Sequence, residues 1–203
     1  TIGASGTGAI TLSGNVGADA TTAGAAVVAV GNVDTASITF GGIEFTTSDT
    51  QTFIADAYAI NGTDSTFSSS NDNITFADGG GDGSIVLADA ADLTITTEVG
   101  GSGGGTITVE VPILGTAGSV ATDVTMTGGS GAISVEDMGT DINDISLTTT
   151  GTISLDGTYT TSILSSGNAD VGDVTLTGAV SLAGNTTIDT SSSGGDVGFT
   201  STI

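Results

Sequence analysis

Carboxylates are the side chains on which any chemistry of this sequence would depend. The 203 residues include 23 Asp and Glu but no Lys, Arg, His or Cys, which gives a formal net charge of -23. Carboxylate oxygens suit a hard cation such as calcium. We therefore predict no cofactor and solvated turns at the acidic clusters, with calcium binding as the alternative at each candidate site. The candidates are Asp78 and Asp82 in a glycine-rich loop, and Glu136, Asp137, Asp141 and Asp144, which we expect to converge on one corner.

The missing basic residues exclude several classes of function. Nucleic-acid binders neutralise phosphates with Lys and Arg, so we expect no nucleic-acid partner. Ser-His and Cys-His dyads, zinc sites of the usual kind and disulfides need His or Cys. Some β-helix enzymes cleave polysaccharides with Asp residues, but their sites add basic or His residues that bind substrate. We predict no enzyme, and keep a polysaccharide-active β-helix enzyme as an alternative.

Short triads of an apolar residue, a Thr or Ser and a second apolar residue recur along the chain. β-branched residues fill most of the apolar positions, which favours strands with alternate side chains on opposite faces. Gly, Asn and Asp lie between the triads and favour close turns, and we expect Pro112 at a corner or strand start. The triads, with variants centred on Glu44, Val86 and Gly198, begin at Ile10, Ile38, Ile43, Ile74, Ile85, Leu93, Ile107, Val124, Ile133, Ile145, Ile153, Val174, Val180 and Val197.

The triads belong to longer repeats. Residues 123–128 (Asp-Val-Thr-Met-Thr-Gly) and 173–178 (Asp-Val-Thr-Leu-Thr-Gly) differ at one position. In the last third, triads fall in pairs that begin at residues 124 and 133, 145 and 153, and 174 and 180. The spacing predicts an all-β solenoid with coils of roughly 20 to 30 residues, with a β-sandwich as the alternative. We expect one domain over 1–203, with an irregular insertion at 46–70 and a short helix or irregular coil at 51–60.

Three features resemble the repeat regions of large filamentous-haemagglutinin-like exoproteins of bacteria. They are the Gly-Ala-Ile/Val-Thr/Ser-Leu units, the Asp-Val-Thr-Leu-Thr-Gly motif and the phrase Gly-Asn-Thr-Thr-Ile-Asp-Thr at 184–190. The resemblance covers most of the chain and is clearest over 123–203. It implies a right-handed parallel β-helix, secretion and a role in surface adhesion. The repeats of that family carry no catalytic residues, and its amino-terminal secretion module is not recognisable here.

These observations together predict a structural or adhesive rod segment of a secreted bacterial cell-surface protein, located outside the cell. The alternative is a subunit of a self-assembling extracellular filament or surface layer. We expect its partners to be other copies or continuing repeats of itself, and ligands on host or environmental surfaces. Because no apolar run approaches the roughly 20 residues of a membrane helix, we expect no membrane insertion. Without Lys or Arg, the chain offers trypsin-like proteases no cleavage site.

Overall fold

The computed structural model describes residues 7–17, 28–98, 103–117, 122–162 and 171–201. Their regular structure consists of strands that pair in parallel, and the sheet winds almost closed around an axis. The fold is therefore the predicted parallel β-solenoid, and the β-sandwich alternative is wrong because sandwich sheets are antiparallel. The described part of the chain contains no helix of the length and apolar character needed to cross a membrane.

Each coil of the solenoid contributes one strand to each of three faces. Face 1 consists of Val16 as an isolated bridge, β4 (Glu44–Thr47), β7 (Asp64–Ser69), β10 (Asp92–Thr96), β13 (Val124–Thr127) and β18 (Val197–Phe199). Face 2 consists of β2 (Val28–Gly31), β5 (Gln51–Ala55), β8 (Ile74–Asp78), β11 (Ile107–Val109) and β14 (Ile133–Val135). Face 3 consists of β1 (Ala9–Leu12), β3 (Ser37–Phe40), β6 (Ala57–Ile60), β9 (Ile85–Leu87), β12 (Ile113–Leu114) and β15 (Met138–Gly139). Two long strands, β16 (Ile145–Thr160) and β17 (Val174–Asp189), each bend through all three faces.

Equivalent residues of successive coils lie in register, although the coils differ in length. One coil separates Ile133 from Ile153 over 20 residues, whereas the coil between Ile74 and Ile107 takes 33. The paired triads of the last third lie on faces 1 and 2 of the same coils. Loops between strands absorb the differences in length, so the pairing stays in register while the sequence spacing varies.

The core is a set of ladders formed by the inward side chains of each face. Phe45 stacks on Phe67 with ring centroids 4.7 Å apart, and the two residues are paired on adjacent strands. Phe53 and Phe76 form a second stacked pair at 5.0 Å. Stacked coils thus place like side chains on one another, and the buried aromatic and aliphatic surface stabilises the fold.

The segment 46–70 is regular, and the expected helix or irregular coil at 51–60 is wrong. In β5 and β6 the alternate residues Phe53, Ala55, Tyr58 and Ile60 are buried in the core. Gln51 also occupies a buried position, where its amide donates to the carbonyls of Phe45 and Ser68. A polar residue at a core position hides the alternating pattern from sequence analysis.

The corners of the solenoid bring backbones of adjacent coils together. A Cβ added to Gly131 would lie 2.0 Å from the carbonyl oxygen of Gly105. The buried Thr97 hydroxyl donates to the same carbonyl at 2.7 Å. Pro112 directly precedes β12, as predicted, and its carbonyl accepts from the N–H of Ile85. Small residues and buried hydroxyls therefore hold the corners.

Candidate binding face

Face 1 displays a repeated motif, Asp-x-Thr/Ser-x-Thr/Ser, on successive coils. Because side chains alternate along a strand, its second and fourth residues enter the core and its first, third and fifth point outward. The burial pattern of these strands shows the alternation. The motif occupies residues 64–68, 92–96, 123–127, 144–148 and 173–177, and residues 196–200 follow it with Gly198 at the centre.

The first residues of the motif form an aspartate column along the rod: Asp64, Asp92, Asp123, Asp144, Asp173 and Asp196. From Asp92 onward, each Oδ1 atom accepts a hydrogen bond from the backbone N–H of the next aspartate. The four distances are 2.9, 3.1, 2.8 and 2.7 Å. Each carboxylate thus caps a strand of the following coil.

The aspartate column places like charges close together. Parallel strands lie about 4.8 Å apart, and two charges at that distance repel by about 1 kcal/mol even at the dielectric constant of water. Burial is the main reason that the pKa of Asp92 is raised. The charges of Asp123 and Asp64 raise this pKa further, and the hydrogen bond from Asp123 opposes the shift. The column is therefore held by hydrogen bonds against its own electrostatic repulsion.

The third and fifth residues of the motif form two columns of hydroxyls beside the aspartates. We call these two columns the hydroxyl array. Along the rod the hydroxyls repeat about every 4.8 Å, and within a strand about every 6.6 Å. Neighbouring side chains bond directly at 2.8 Å in the pairs Thr46 with Ser68 and Thr177 with Thr200. The array consists of Thr66, Thr94, Thr125, Ser146 and Thr175 in one column and Thr46, Ser68, Thr96, Thr127, Thr148, Thr177 and Thr200 in the other.

A second line of carboxylates lies at the corner between faces 2 and 3. Burial first, and then the charges of Asp137, Asp156, Glu110 and Asp78, raise the pKa of Glu136. Two buried tyrosines stand behind this corner. Tyr159 donates to the Val135 carbonyl at 2.8 Å, and Tyr58 donates to Phe53 at 3.0 Å. The negative charge of this corner contrasts with the uncharged hydroxyl array.

The structure separates the residues that we predicted as calcium ligands. Glu136 and Asp137 precede β15, whereas Asp141 and Asp144 follow it, and no three of the four lie close enough together to hold a metal ion. The two-residue strand β15 places each pair at a different end of face 3. Asp137 accepts a hydrogen bond from the N–H of Thr158, and the Asp141 N–H donates to Ser162 at 3.0 Å.

The glycine-rich loop is a local turn. Asp78 Oδ1 accepts from the N–H groups of Gly80 and Gly81 at 2.9 and 3.2 Å, while Asp82 is exposed. Within the described ranges, no three carboxylates lie close enough together to hold a metal ion. Calcium binding at these six residues stays a prediction.

A surface cavity of about 560 Å³ lies beside β15 and is lined by Asp137, Met138 and Asp141. Another, of about 220 Å³, is lined by Glu98 and by threonines of face 1. Neither cavity combines a nucleophile with a basic partner, because the sequence has no His, Cys, Lys or Arg. The repeated chemistry of the chain therefore lies on face 1, where the 220 Å³ cavity borders Thr127, Thr148 and Thr177 of the hydroxyl array.

No family model matches this chain, and neither the curated proteins nor the solved structures include one similar to it. The fold and the face place it in the class of parallel β-solenoids. Most of the aspartate column and the hydroxyl array were not predicted from the sequence. The signal was present in the near-identical segments 123–128 and 173–178, whose outward residues all belong to face 1.

Proposed function

We propose that this chain is a rod-forming segment of a large exported bacterial surface protein, with a structural or adhesive role. Coils stacked in register and joined by hydrogen-bonded ladders support a rod. The resemblance of its repeats to those of bacterial exoproteins supports export. Because the chain has no Lys or Arg, trypsin-like proteases find no cleavage site in it, which suits a protein exposed outside the cell.

On the last coils, several apolar side chains at core-facing positions are exposed to solvent, and this exposure is the main support for the proposal. Leu182 is 58% exposed, although the residue in register with it on the preceding coil, Leu155, is 1% exposed. Val197 and Phe199 are likewise 39% and 40% exposed at core-facing positions of face 1. A further coil would bury these side chains, and full burial of each stabilises by about 1.5 to 3 kcal/mol.

The strand edges support the same conclusion. β18 covers only the first part of β17, from Val174 to Leu176. Among the described residues, no strand pairs with the outward edge of the second or third part of β17. Free edges of this kind are templates for another strand. Continuing repeats of the same chain would cover them in a long rod, and a second copy would cover them in a filament, which is the alternative function.

Sedimentation velocity of the chain over a range of concentrations tests the uncovered end. We expect the wild-type chain to associate as concentration rises. Leu182→Asp should weaken association at least tenfold, because a charge at this position would be buried in the contact. Val86→Asp is the matched control, because Val86 is 39% exposed on the side of the rod. Monomers at every concentration, or equal effects of both variants, would contradict the proposal.

The intact mass of the native protein separates the two functions. A mass well above the 19.3 kDa of this chain indicates a rod built from continuing repeats. A mass equal to it, together with filaments in electron micrographs, indicates a self-assembling subunit. A protein of this mass that stays monomeric would contradict both.

A further inference from the structure

The hydroxyl array differs in its charge from the aspartate column beside it and from the acidic corner between faces 2 and 3, and its two columns distinguish it from the single hydroxyl column that runs from Thr52 to Ser181 on face 2. The chain carries a net charge of -23, yet among the described residues Glu44 is the one carboxylate that lies in register with either column of the array. Apart from Glu44, the acidic residues within the described strands of face 1 belong to the aspartate column at the start of each strand. From Thr66 onward the array is therefore an uncharged strip on a strongly acidic rod.

The second feature of the hydroxyl array is its regular spacing in two directions. In-register pairing links the array from Glu44 through Thr66, Thr94 and Thr125 to Thr175 without a shift. The spacings of about 4.8 Å along the rod and about 6.6 Å along each strand therefore form a lattice. A ligand that binds a small pocket makes no use of such a lattice. A ligand that is itself periodic can contact every point of it at once.

We propose that the hydroxyl array binds the surface of ice. Water molecules on a crystal face of ice repeat in two dimensions at distances of the same size as those of the array. Each threonine offers a hydroxyl that bonds water and a methyl group that fills the space between water molecules. Waters bridging such groups are held nearly as well as by a direct bond.

The number of contacts gives the array its binding strength. A single hydroxyl binds water weakly, because it exchanges one water contact for another. Threonines fixed on one rigid sheet engage the crystal together, so that the later contacts are intramolecular. β-branching restricts their rotamers, which lowers the entropy lost on binding. A longer rod with more coils should bind ice more tightly.

Two other ligands fit the face less well. A sugar platform needs several exposed aromatic rings, but every aromatic side chain except that of Phe199, on the last coil, is buried. A second copy would bring its own aspartate column to this face, and the like charges would repel. Ice is uncharged and adds no repulsion.

Partition into a growing ice shell, with thermal hysteresis measured on the same samples, tests the proposal. We expect the wild-type chain to enter ice at least fivefold more than serum albumin and to produce hysteresis. Thr125→Tyr with Thr127→Tyr should abolish both effects, because two large rings would lift the array off the crystal. Thr108→Tyr with Ser134→Tyr is the matched control on the outward side of face 2, and it should retain them.

Each outcome of the ice-partition experiment supports or overturns the proposal. Exclusion of the wild-type chain from ice overturns the proposal, whatever the variants do. Equal loss in both variants, with native circular dichroism, also overturns it, because the effect would not belong to face 1. Binding to cellulose or chitin without binding to ice would replace ice with a polysaccharide. The proposal of a rod segment is tested by sedimentation velocity and intact mass. A failure of that proposal is therefore distinguishable from a failure of ice binding.

Discussion

The side chain of Asp144 accepts a 2.8 Å hydrogen bond from the backbone N–H of Asp173, one coil further along the rod. The contact gives a hydrogen-bond partner to the Asp173 N–H, which lies directly before the first residue of β17. It also places two negative charges side by side. The aspartate column therefore contains a stabilising and a destabilising effect, which substitutions can separate.

Asp144→Asn keeps the acceptor oxygen and removes the charge. We expect it to raise the melting temperature at low ionic strength, with a gain that shrinks as salt screens the column. Asp144→Ala removes both, and we expect it to lower the free energy of unfolding by about 1 kcal/mol, because the lost hydrogen bond outweighs the relieved repulsion. Urea denaturation at low and high salt measures both effects. Equal stabilities of the two variants would show that the hydrogen bond contributes nothing.

The raised pKa of Asp92 makes stability depend on pH. The folded chain holds this proton more tightly than the unfolded chain, in which the pKa is near the ordinary value of 3.8. Ionisation therefore destabilises the fold, and stability rises as the pH falls from neutral through the raised pKa and levels off below the ordinary one. The pKa of Glu136 is raised from 4.5 and acts in the same direction.

We accordingly expect the melting temperature to rise between pH 7 and about pH 4. Asp92→Asn should reduce this rise, whereas the exposed turn variant Asp34→Asn should leave more of it in place. Thermal melts followed by circular dichroism measure the difference. A melting temperature that falls steadily with acid would contradict the electrostatic account of the column.

Tyr159 links two coils at the acidic corner. Its hydroxyl donates to the Val135 carbonyl at 2.8 Å and accepts from the Asp156 N–H at 3.2 Å. We expect Tyr159→Phe to cost about 1 to 3 kcal/mol, because it leaves these buried groups without their partner. Tyr58→Phe is a parallel test at an equivalent corner, where the Ala55 N–H donates to the Tyr58 hydroxyl at 3.0 Å. Variants as stable as the wild type would show that the hydroxyls are not required.

Both tyrosines also predict the response to alkali. Burial raises the pKa of Tyr58 and of Tyr159 above the ordinary value of 10.0. The neutral hydroxyl is favoured in the fold, so this contribution to stability is complete below pH 10 and is lost as the pH rises further. Absorbance at the phenolate band should show both rings ionising only as the chain unfolds. Ionisation near the ordinary value in the folded chain would contradict their burial.

Gly131 tests the close approach of backbones at a corner. A methyl group there would lie 2.0 Å from the Gly105 carbonyl oxygen, so Gly131→Ala forces the two coils apart. We expect a loss of about 2 kcal/mol in the free energy of unfolding. Gly14→Ala is the control, because a Cβ at Gly14 has no neighbour within 4 Å among the described residues. A similar loss in both variants would attribute the effect to glycine in general.

The strands were predictable wherever an apolar triad marked both inward positions. The triad that begins at Ile145 lies on face 1, and the one at Ile153 lies on face 2 of the same coil. β5 was missed because Gln51 takes an inward position. Its burial depends on carbonyls from two other strands, which no local pattern reveals.

The candidate face was harder to predict because coil length varies. Asp92 and Asp123 are 31 residues apart, whereas Asp123 and Asp144 are 21 apart, so their alignment does not appear as a fixed period. The arrangement of the acidic residues around β15 was hidden for a related reason. β15 contains only Met138 and Gly139, too short to leave a triad, yet it separates the acidic residues on either side.

Distances between spin labels test the in-register stacking most directly, and both the rod and the hydroxyl array depend on it. The chain has no cysteine, so labels can be placed in pairs on Glu44→Cys with Ser146→Cys and on Glu44→Cys with Thr175→Cys. In-register stacking predicts narrow distributions centred near 19 and 24 Å, since each coil adds about 4.8 Å. Broad distributions, or a second distance no longer than the first, would contradict it.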